Sequence, residues 1–306
     1  MDNNLKLLID RLEAERCLEK NEYKMLIEGF SEEPAAYAAS KADRIRQSIY
    51  GKDVYIRGLI EVSNICANDC LYCGIRKSNA QCARYRLPLE TVLECCRRGY
   101  ELGFRTFVMQ GGEDGFFTAE HICRYVSSIK KIFPDCAVTL SLGEYSKEEY
   151  KAMYDAGADR YLLRHETADK AHYEKLHPAS MSFEKRMKCL EDIKETGFQT
   201  GCGFMVGSPY QNSDTLAADL KFIEKFKPHM CGIGPFIPHK DTPFGSCPAG
   251  TAELTVYLLS LIRLIRPDIL LPATTALGTL DPLGREKGAE SGANVTMPNL
   301  SPVSVR

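Results

Sequence analysis

Residues 4 to 29 carry Leu5, Leu8, Ile9 and Leu12, then Tyr23, Met25, Leu26 and Ile27, at roughly helical spacing, which predicts a helical layer at the start of the chain. From residue 54 the pattern changes to short apolar or β-branched runs, each followed by a longer amphipathic segment. VYIRGLIEV (54–62), TFVMQ (106–110), AVTLSL (137–142), RYLLR (160–164), QTGCGFMVG (199–207), MCGIGPFI (230–237), ILLPAT (269–274) and ANVTMP (293–298) read as eight strands. LETVLECCRRGYELG (89–103), TAEHICRYVSSIKKIF (118–133), SFEKRMKCLEDIKETG (182–197) and TLAADLKFIEKF (215–226) read as helices between them. Strand and helix alternating this regularly imply parallel strands joined by right-handed crossovers. Eight units favour an α/β fold of the closed (β/α)8, TIM-type, barrel over an open doubly wound sheet. Residues 1–50 are expected to form a helical extension packed on a barrel of residues 51–306. Gly103, Gly157 and Gly197 fall where a helix gives way to the next strand and suit left-handed caps at the bottom of a barrel. The other ends of the strands then carry the chemistry.

The composition narrows that chemistry. Apolar residues are 44% and charged residues 26% of 306, enough for one large core, and the net charge of −2 is spread along the chain. No basic face announces a nucleic acid, and no run of 18 apolar residues announces a membrane, so a small-molecule partner is expected. The N-terminus is charged and amphipathic rather than a secretion signal, which predicts a cytoplasmic protein with reduced thiols. Its thirteen cysteines are therefore read as ligands or nucleophiles before bridges.

Cys66, Cys70 and Cys73 lie in "CANDCLYCGIR" (66–76), directly after the first strand. On a helix they would make one buried stripe, but Asn68, Asp69 and Gly74 favour a loop. A structural zinc would want a fourth ligand, and the adjacent Cys95 and Cys96 on a predicted helix offer no second pair. A four-iron cluster held by three thiolates leaves one iron open for a ligand. Other polar residues gather at strand ends. Gly111 and Gly112 permit close backbone approach, and Glu113 beside them can accept from an ammonium group. Arg164, His165 and Glu166 follow the fourth strand and are expected to point into the barrel mouth. Arg186 on the next helix suits bidentate pairing with a carboxylate. Thr274 and Thr275 close the ring, and can equally be ordinary β-branched strand residues.

The C-x3-C-x2-C spacing, with Tyr72 before the last cysteine and on the loop after the first barrel strand, resembles the radical S-adenosylmethionine (SAM) superfamily. The stretches "QGGED", "TLSLGE", "RYLLRHETA", "GIGPFIPH", "PATTALGT" and "GANVTMPN" extend the resemblance, from about residue 50 onward, to the HydE family of [FeFe]-hydrogenase maturases. The resemblance implies that Cys66, Cys70 and Cys73 hold a [4Fe–4S] cluster whose open iron is chelated by SAM. It implies reductive cleavage of SAM, by an external one-electron donor, to a 5′-deoxyadenosyl radical. Tyr72 would lie near the adenine, Gly111, Gly112 and Glu113 around the methionyl amine, and Glu166 and Arg186 would anchor SAM. Thr139, Arg164, Thr274, Thr275 and Met297 would line the substrate or anion side of the cavity. The family builds the dithiolate bridge of the hydrogenase iron site, with an iron carbonyl cyanide complex as substrate and the maturation proteins HydG and HydF as partners. Chains of the family continue past "GANVTMPN" with a further helix, whereas this one stops at "LSPVSVR", so the last covering helix is expected to be missing.

Methylornithine-synthase-like and biotin-synthase-like enzymes remain open within the superfamily. The latter would need a second cluster, for which Cys136, Cys202 and Cys231 would have to converge inside the barrel. From another class, an iron–sulfur protein that binds SAM without turning it over fits the same motif and would make no 5′-deoxyadenosine.

Overall fold

A computed structural model describes residues 2–305. Three helices come first, α1 (Asn3–Glu15), α2 (Lys20–Glu28) and α3 (Glu32–Tyr50). Strands β1 (Tyr55–Ile56) and β2 (Gly58–Ser63) lead through a long irregular loop to α4 (Leu89–Glu101). Then come β3 (Thr106–Gly111), α5 (Ala119–Ile132), β4 (Ala137–Ser141), α6 (Lys147–Asp155) and β5 (Arg160–Leu162). Two helices follow, α7 (Lys170–Leu176) and α8 (Phe183–Thr196), then β6 (Gln199–Cys202), β7 (Met205–Val206) and α9 (Ser213–Phe226). The last third holds β8 (Met230–Cys231), β9 (Gly234–Pro235), α10 (Ala252–Ile265), α11 (Thr275–Leu280), α12 (Gly284–Glu290) and β10 (Val295–Thr296).

Six parallel strands make one sheet in the order β2-β3-β4-β5-β6-β8, and single hydrogen-bonded bridges complete the ring. Met230 bridges Leu270, Pro272 bridges Val295, and β1 pairs in parallel with β10. The Leu59 amide donates to Pro298 O at 2.9 Å and the Leu300 amide donates back to Leu59 O at 2.7 Å. The barrel is therefore closed, as the eight-unit pattern predicts.

The differences from the sequence pattern have local causes. ILLPAT (269–274) makes isolated bridges rather than a strand, because Pro272 has no amide to give to a ladder. The fifth and sixth units each split in two, β6/β7 and β8/β9, where a Cβ on Gly203 would lie 2.1 Å from Gly232 O. Helix α3 was not legible, since EEPAAYAASKADRIRQSIY has an alanine-rich inner face with little periodic contrast. Gly103, Gly157 and Gly197 do adopt positive φ, 91°, 106° and 107°, at the bottom of the barrel.

The N-terminal helices lie outside this ring. Helices α1 and α3 pack on α10, and α2 packs on α9. Sandwiched between α3 and the barrel, α10 is buried almost all round, which explains its nearly unbroken apolar sequence. Each buried Leu, Ile or Val in these layers contributes on the order of 1.5–3 kcal/mol. Arg263 of α10 is fully buried and gives its guanidinium to Gly292 O, Pro267 O and Asn294 Oδ1.

Candidate active site

The loop after β2 folds without helix at 64–87, so the three cysteines are not a helical stripe, and all three are half-buried. Its shape is held by charged side chains that satisfy its backbone. Arg84 donates to four carbonyls, Asn64 O and Arg76 O at 2.6 Å, Ile75 O at 2.8 Å and Asn79 O at 3.1 Å. Asp69 accepts from Arg76 Nε at 2.8 Å and from the Ser78 amide and hydroxyl at 3.0 and 2.7 Å. Two further bonds tie the loop to the barrel mouth, Ala67 N–H to Glu113 O at 2.8 Å and Leu71 N–H to Leu176 O at 3.0 Å.

Burial pushes the Cys70 thiol up to about 12, and burial raises Cys73 as well. Both are neutral at pH 7, so these two become thiolates only when a cation displaces their protons. No group of three or more His, Cys, Asp or Glu among the described residues is arranged around a single ion. A four-iron cluster asks for something else, because its thiolates bond different iron atoms. Gly112 backs the same loop so closely that a Cβ there would lie 2.4 Å from Ile65 O and 2.7 Å from Cys66 Cβ. Gly112 thus brings bare backbone against the cysteine loop, and a Cβ on Gly111 would lie 2.9 Å from Ser63 O.

The charged residues of the mouth divide into satisfied and unsatisfied. Arg186 Nε donates to Glu144 Oε1 at 2.6 Å and Nη1 to Arg164 O at 2.8 Å, while Nη2 stands 3.6 Å from Glu113 Oε1. Burial raises the Glu113 carboxyl pKa, offset in part by Arg186. Glu166 is held at φ 65°, a left-handed conformation unusual for a non-glycine residue, the kind of local cost that clusters at functional sites. Its Oε2 lies 3.3 Å from Arg164 Nη2. That pair lacks hydrogen-bond geometry, so Glu166 Oε2 and Arg164 Nε and Nη2 are buried without a hydrogen-bond partner. Thr139 Oγ1 and Thr274 Oγ1 are in the same state.

Thr274, Thr275 and Met297 meet at one cavity of about 200 Å³, together with Leu59, Gln110 and Thr296. Thr139 is fully buried in β4, level with Val108 and Arg160 on the neighbouring strands, and does not line that cavity. Thr274 is the residue before α11 and Thr275 its first, so neither is an ordinary strand position.

One expectation is corrected. His165 does not point into the mouth. It is fully buried on the opposite side, accepts from the Gly203 amide through Nδ1 at 3.3 Å and donates from Nε2 to Asp219 Oδ1 at 3.2 Å on α9. His165 lies past the end of β5, where its contacts with Gly203 and Asp219 rather than strand alternation set its direction. Cys202 and Cys231 are direct partners across β6 and β8, but Cys136 lies elsewhere, beside Phe104 O, so the three do not converge.

Sequence reasoning missed Glu144, Arg84 and His177. The Tyr72 hydroxyl lies 3.0 Å from His177 Nε2, and burial brings the His177 imidazole down to about 4, so it is neutral. Met181, on the same connection between α7 and α8, sets its sulfur 3.6 Å from Cys70 Sγ.

Residues 60–223 match the radical SAM superfamily. The [FeFe] hydrogenase maturase subunit HydE of Thermotoga maritima is 47% identical over 87% of this chain and 75% of its own length. The chain belongs to the radical SAM superfamily and, within it, to the HydE family. It is a radical SAM enzyme, and a [4Fe–4S] cluster and SAM are its cofactors. A 3-methylornithine synthase of Methanosarcina acetivorans is 26% identical over 96% of this chain and 78% of its own. Solved structures share the radical SAM fold. A methylornithine synthase gives a TM-score of 0.86 at 23% identity, covering 97% of this chain and 87% of that one. The maturase HydG gives 0.84 at 22%, covering 97% and 68%.

Proposed function

We propose that this chain cleaves SAM reductively in the maturation of [FeFe]-hydrogenase, with Cys66, Cys70 and Cys73 as ligands of a cluster that has one open iron. When bound and reduced, the cluster and SAM supply a 5′-deoxyadenosyl radical. The protein's own residues orient and enclose that chemistry. Glu113 accepts from the methionyl ammonium, whose charge would favour the carboxylate that burial disfavours. Gly111 and Gly112 let the ligand approach the backbone, Tyr72 borders the adenine, and Glu166 anchors SAM. Arg186 acts through Nη2, since Nε and Nη1 are already engaged by Glu144 and Arg164 O.

The observation that carries the substrate reading is the guanidinium edge of Arg164, whose Nε and Nη2 are buried without a hydrogen bond although Nη2 faces Glu166 Oε2 at 3.3 Å. Leaving such atoms unmet costs about 1–3 kcal/mol each, and a carboxylate accepts from both at once. That edge suits the cysteine carboxylate of an iron carbonyl cyanide complex delivered by HydG, on which the dithiolate bridge is built before transfer to HydF. Thr139, Thr274, Thr275 and Met297 complete the substrate side. None of the thirteen cysteines is in a disulfide, in keeping with work in a reducing cytoplasm.

The test is anaerobic. Reconstituted protein, a one-electron reductant and SAM are incubated with and without the HydG product, and 5′-deoxyadenosine is quantified. The complex should stimulate its formation, and Arg164→Ala should abolish the stimulation while leaving the SAM-induced change in the cluster's paramagnetic resonance spectrum. Deoxyadenosine formation indifferent to the complex, or an undiminished response in Arg164→Ala, overturns the substrate reading.

A further inference from the structure

His177 is the first residue past α7, and its imidazole is held on three sides. Nδ1 lies 2.9 Å from Tyr173 O. A carbonyl can only accept, so Nδ1 carries the ring proton and Nε2 presents a bare lone pair. The Tyr72 hydroxyl, 3.0 Å from Nε2, is therefore the donor. One ring face of His177 stacks on Tyr173 at 3.9 Å and 25°, and its edge meets the Tyr72 ring at 5.4 Å and 87°. The Leu71 amide, next to Tyr72, is pinned to Leu176 O, next to His177, at 3.0 Å. Backbone and side chain thus fix Tyr72 at both ends, and its one donor is spent within the protein.

We propose that His177 is a positioning residue for SAM: by accepting the Tyr72 hydroxyl it fixes the plane of the ring that borders the adenine. The inference rests on the reading of Tyr72 as the adenine's neighbour. A phenol free to rotate would have to be immobilised each time SAM binds, and its hydroxyl would compete for polar atoms of the nucleoside. In the apoenzyme that ordering is already complete, and the adenine meets a flat, preset surface. The Cys70 thiol also lies within reach of the Tyr72 hydroxyl, but a neutral thiol is a far weaker acceptor than the bare imidazole nitrogen. Tyr173 is turned to the other face of His177, and Met181 faces Cys70 rather than Tyr72.

The experiment uses reconstituted holoenzyme and reads SAM affinity from the cluster's paramagnetic resonance spectrum, alongside iron content and the 5′-deoxyadenosine rate at saturating SAM. His177→Phe should keep the iron content and the saturated rate while weakening SAM about five- to tenfold, the size of one lost hydrogen bond and its preorganisation. Tyr72→Phe should weaken SAM similarly. The double variant should be no worse than either single one, because both remove the same bond. His177→Gln, whose amide oxygen can accept from Tyr72, should recover part of the affinity. If Tyr72→Ala leaves SAM affinity unchanged, the adenine reading itself falls. If Tyr72→Ala weakens SAM but His177→Phe does not, only the role of His177 falls. Additive losses in the double variant, or loss of iron in both His177→Phe and His177→Gln, would assign His177 to folding of the cysteine loop and overturn the proposal.

Discussion

Cys70 and Cys95 are the same side chain in environments that ask different things of it. Cys70 sits on the loop beside Cys66 and Cys73, with its thiol held neutral by burial. Cys95 is buried on the inner face of α4 among core residues. Cys70→Ala should abolish cluster assembly, whereas Cys95→Ala should retain full iron and lose about 1 kcal/mol of stability through the small cavity it leaves. Equal iron in the two variants would refute the ligand assignment. His177 gives a second prediction at this scale. Its folded pKa, about 4, lies below the ordinary histidine value, so the unfolded chain binds the proton more readily. The stability it contributes is present above pH 6.5 and is lost as pH falls through 4, an effect of up to roughly 3 kcal/mol. Denaturant midpoints at pH 7 and pH 4.5 should drop less for His177→Phe than for the parent protein. Residues of this kind show how far the sequence could be read. The cysteines, Gly112 and Glu113 were legible because spacing or backbone freedom marks them within a few positions. Glu144 and His177 were not, since their partners, Arg186 and Tyr72, lie 42 and 105 positions away.

At the level of elements, three of the four helices that the sequence pattern placed between strands, α5, α8 and α9, start at a side-chain cap, whereas α4 starts at Pro88 without one. On α6, which the pattern did not single out, the Ser146 hydroxyl accepts from the Glu149 amide at 3.2 Å and the Glu149 carboxylate accepts from the Ser146 amide at 2.8 Å. Ser146→Ala should cost about 1 kcal/mol in chemical denaturation, with no change in SAM binding. Gly157 ends the same unit at φ 106°, next to the Lys130 side chain, so Gly157→Ala should cost about 1–3 kcal/mol. Among the elements that escaped, α11 and α12 are six and seven residues long, too short for a helical period to repeat. They sit between the seventh and eighth barrel positions, and α11 is what carries Thr275 to the cavity.

For the molecule as a whole, closure depends on a few backbone bonds at one seam. Tyr55, Arg57 and Leu59 donate to Asn294 O, Thr296 O and Pro298 O at 2.8, 2.9 and 2.9 Å, across strands that are only two residues long. Replacing Thr296 by proline leaves those acceptors in place, whereas a chain ending at residue 293 removes them all. The shortened chain should therefore fail to give a cooperative unfolding transition by calorimetry, while the proline variant should keep one.

The cysteine loop has the opposite character. Its three thiols lie within eight residues, and Arg84, which grips four carbonyls of the same loop, is eleven positions further on. Most bonds that shape the segment are local, and its ties across the barrel mouth, Ala67 N–H to Glu113 O, Leu71 N–H to Leu176 O and the Tyr72 hydroxyl to His177, run to the connections between strands rather than to the strands, so it opens and closes as a small cooperative unit without disturbing the strands beneath it. Biogenesis is then divisible: the polypeptide reaches its final architecture first, and inorganic iron and sulfide enter afterwards through a local opening. Hydrogen exchange on the metal-free protein should show residues 64–87 exchanging quickly against a protected barrel, and loading with iron should slow that stretch alone.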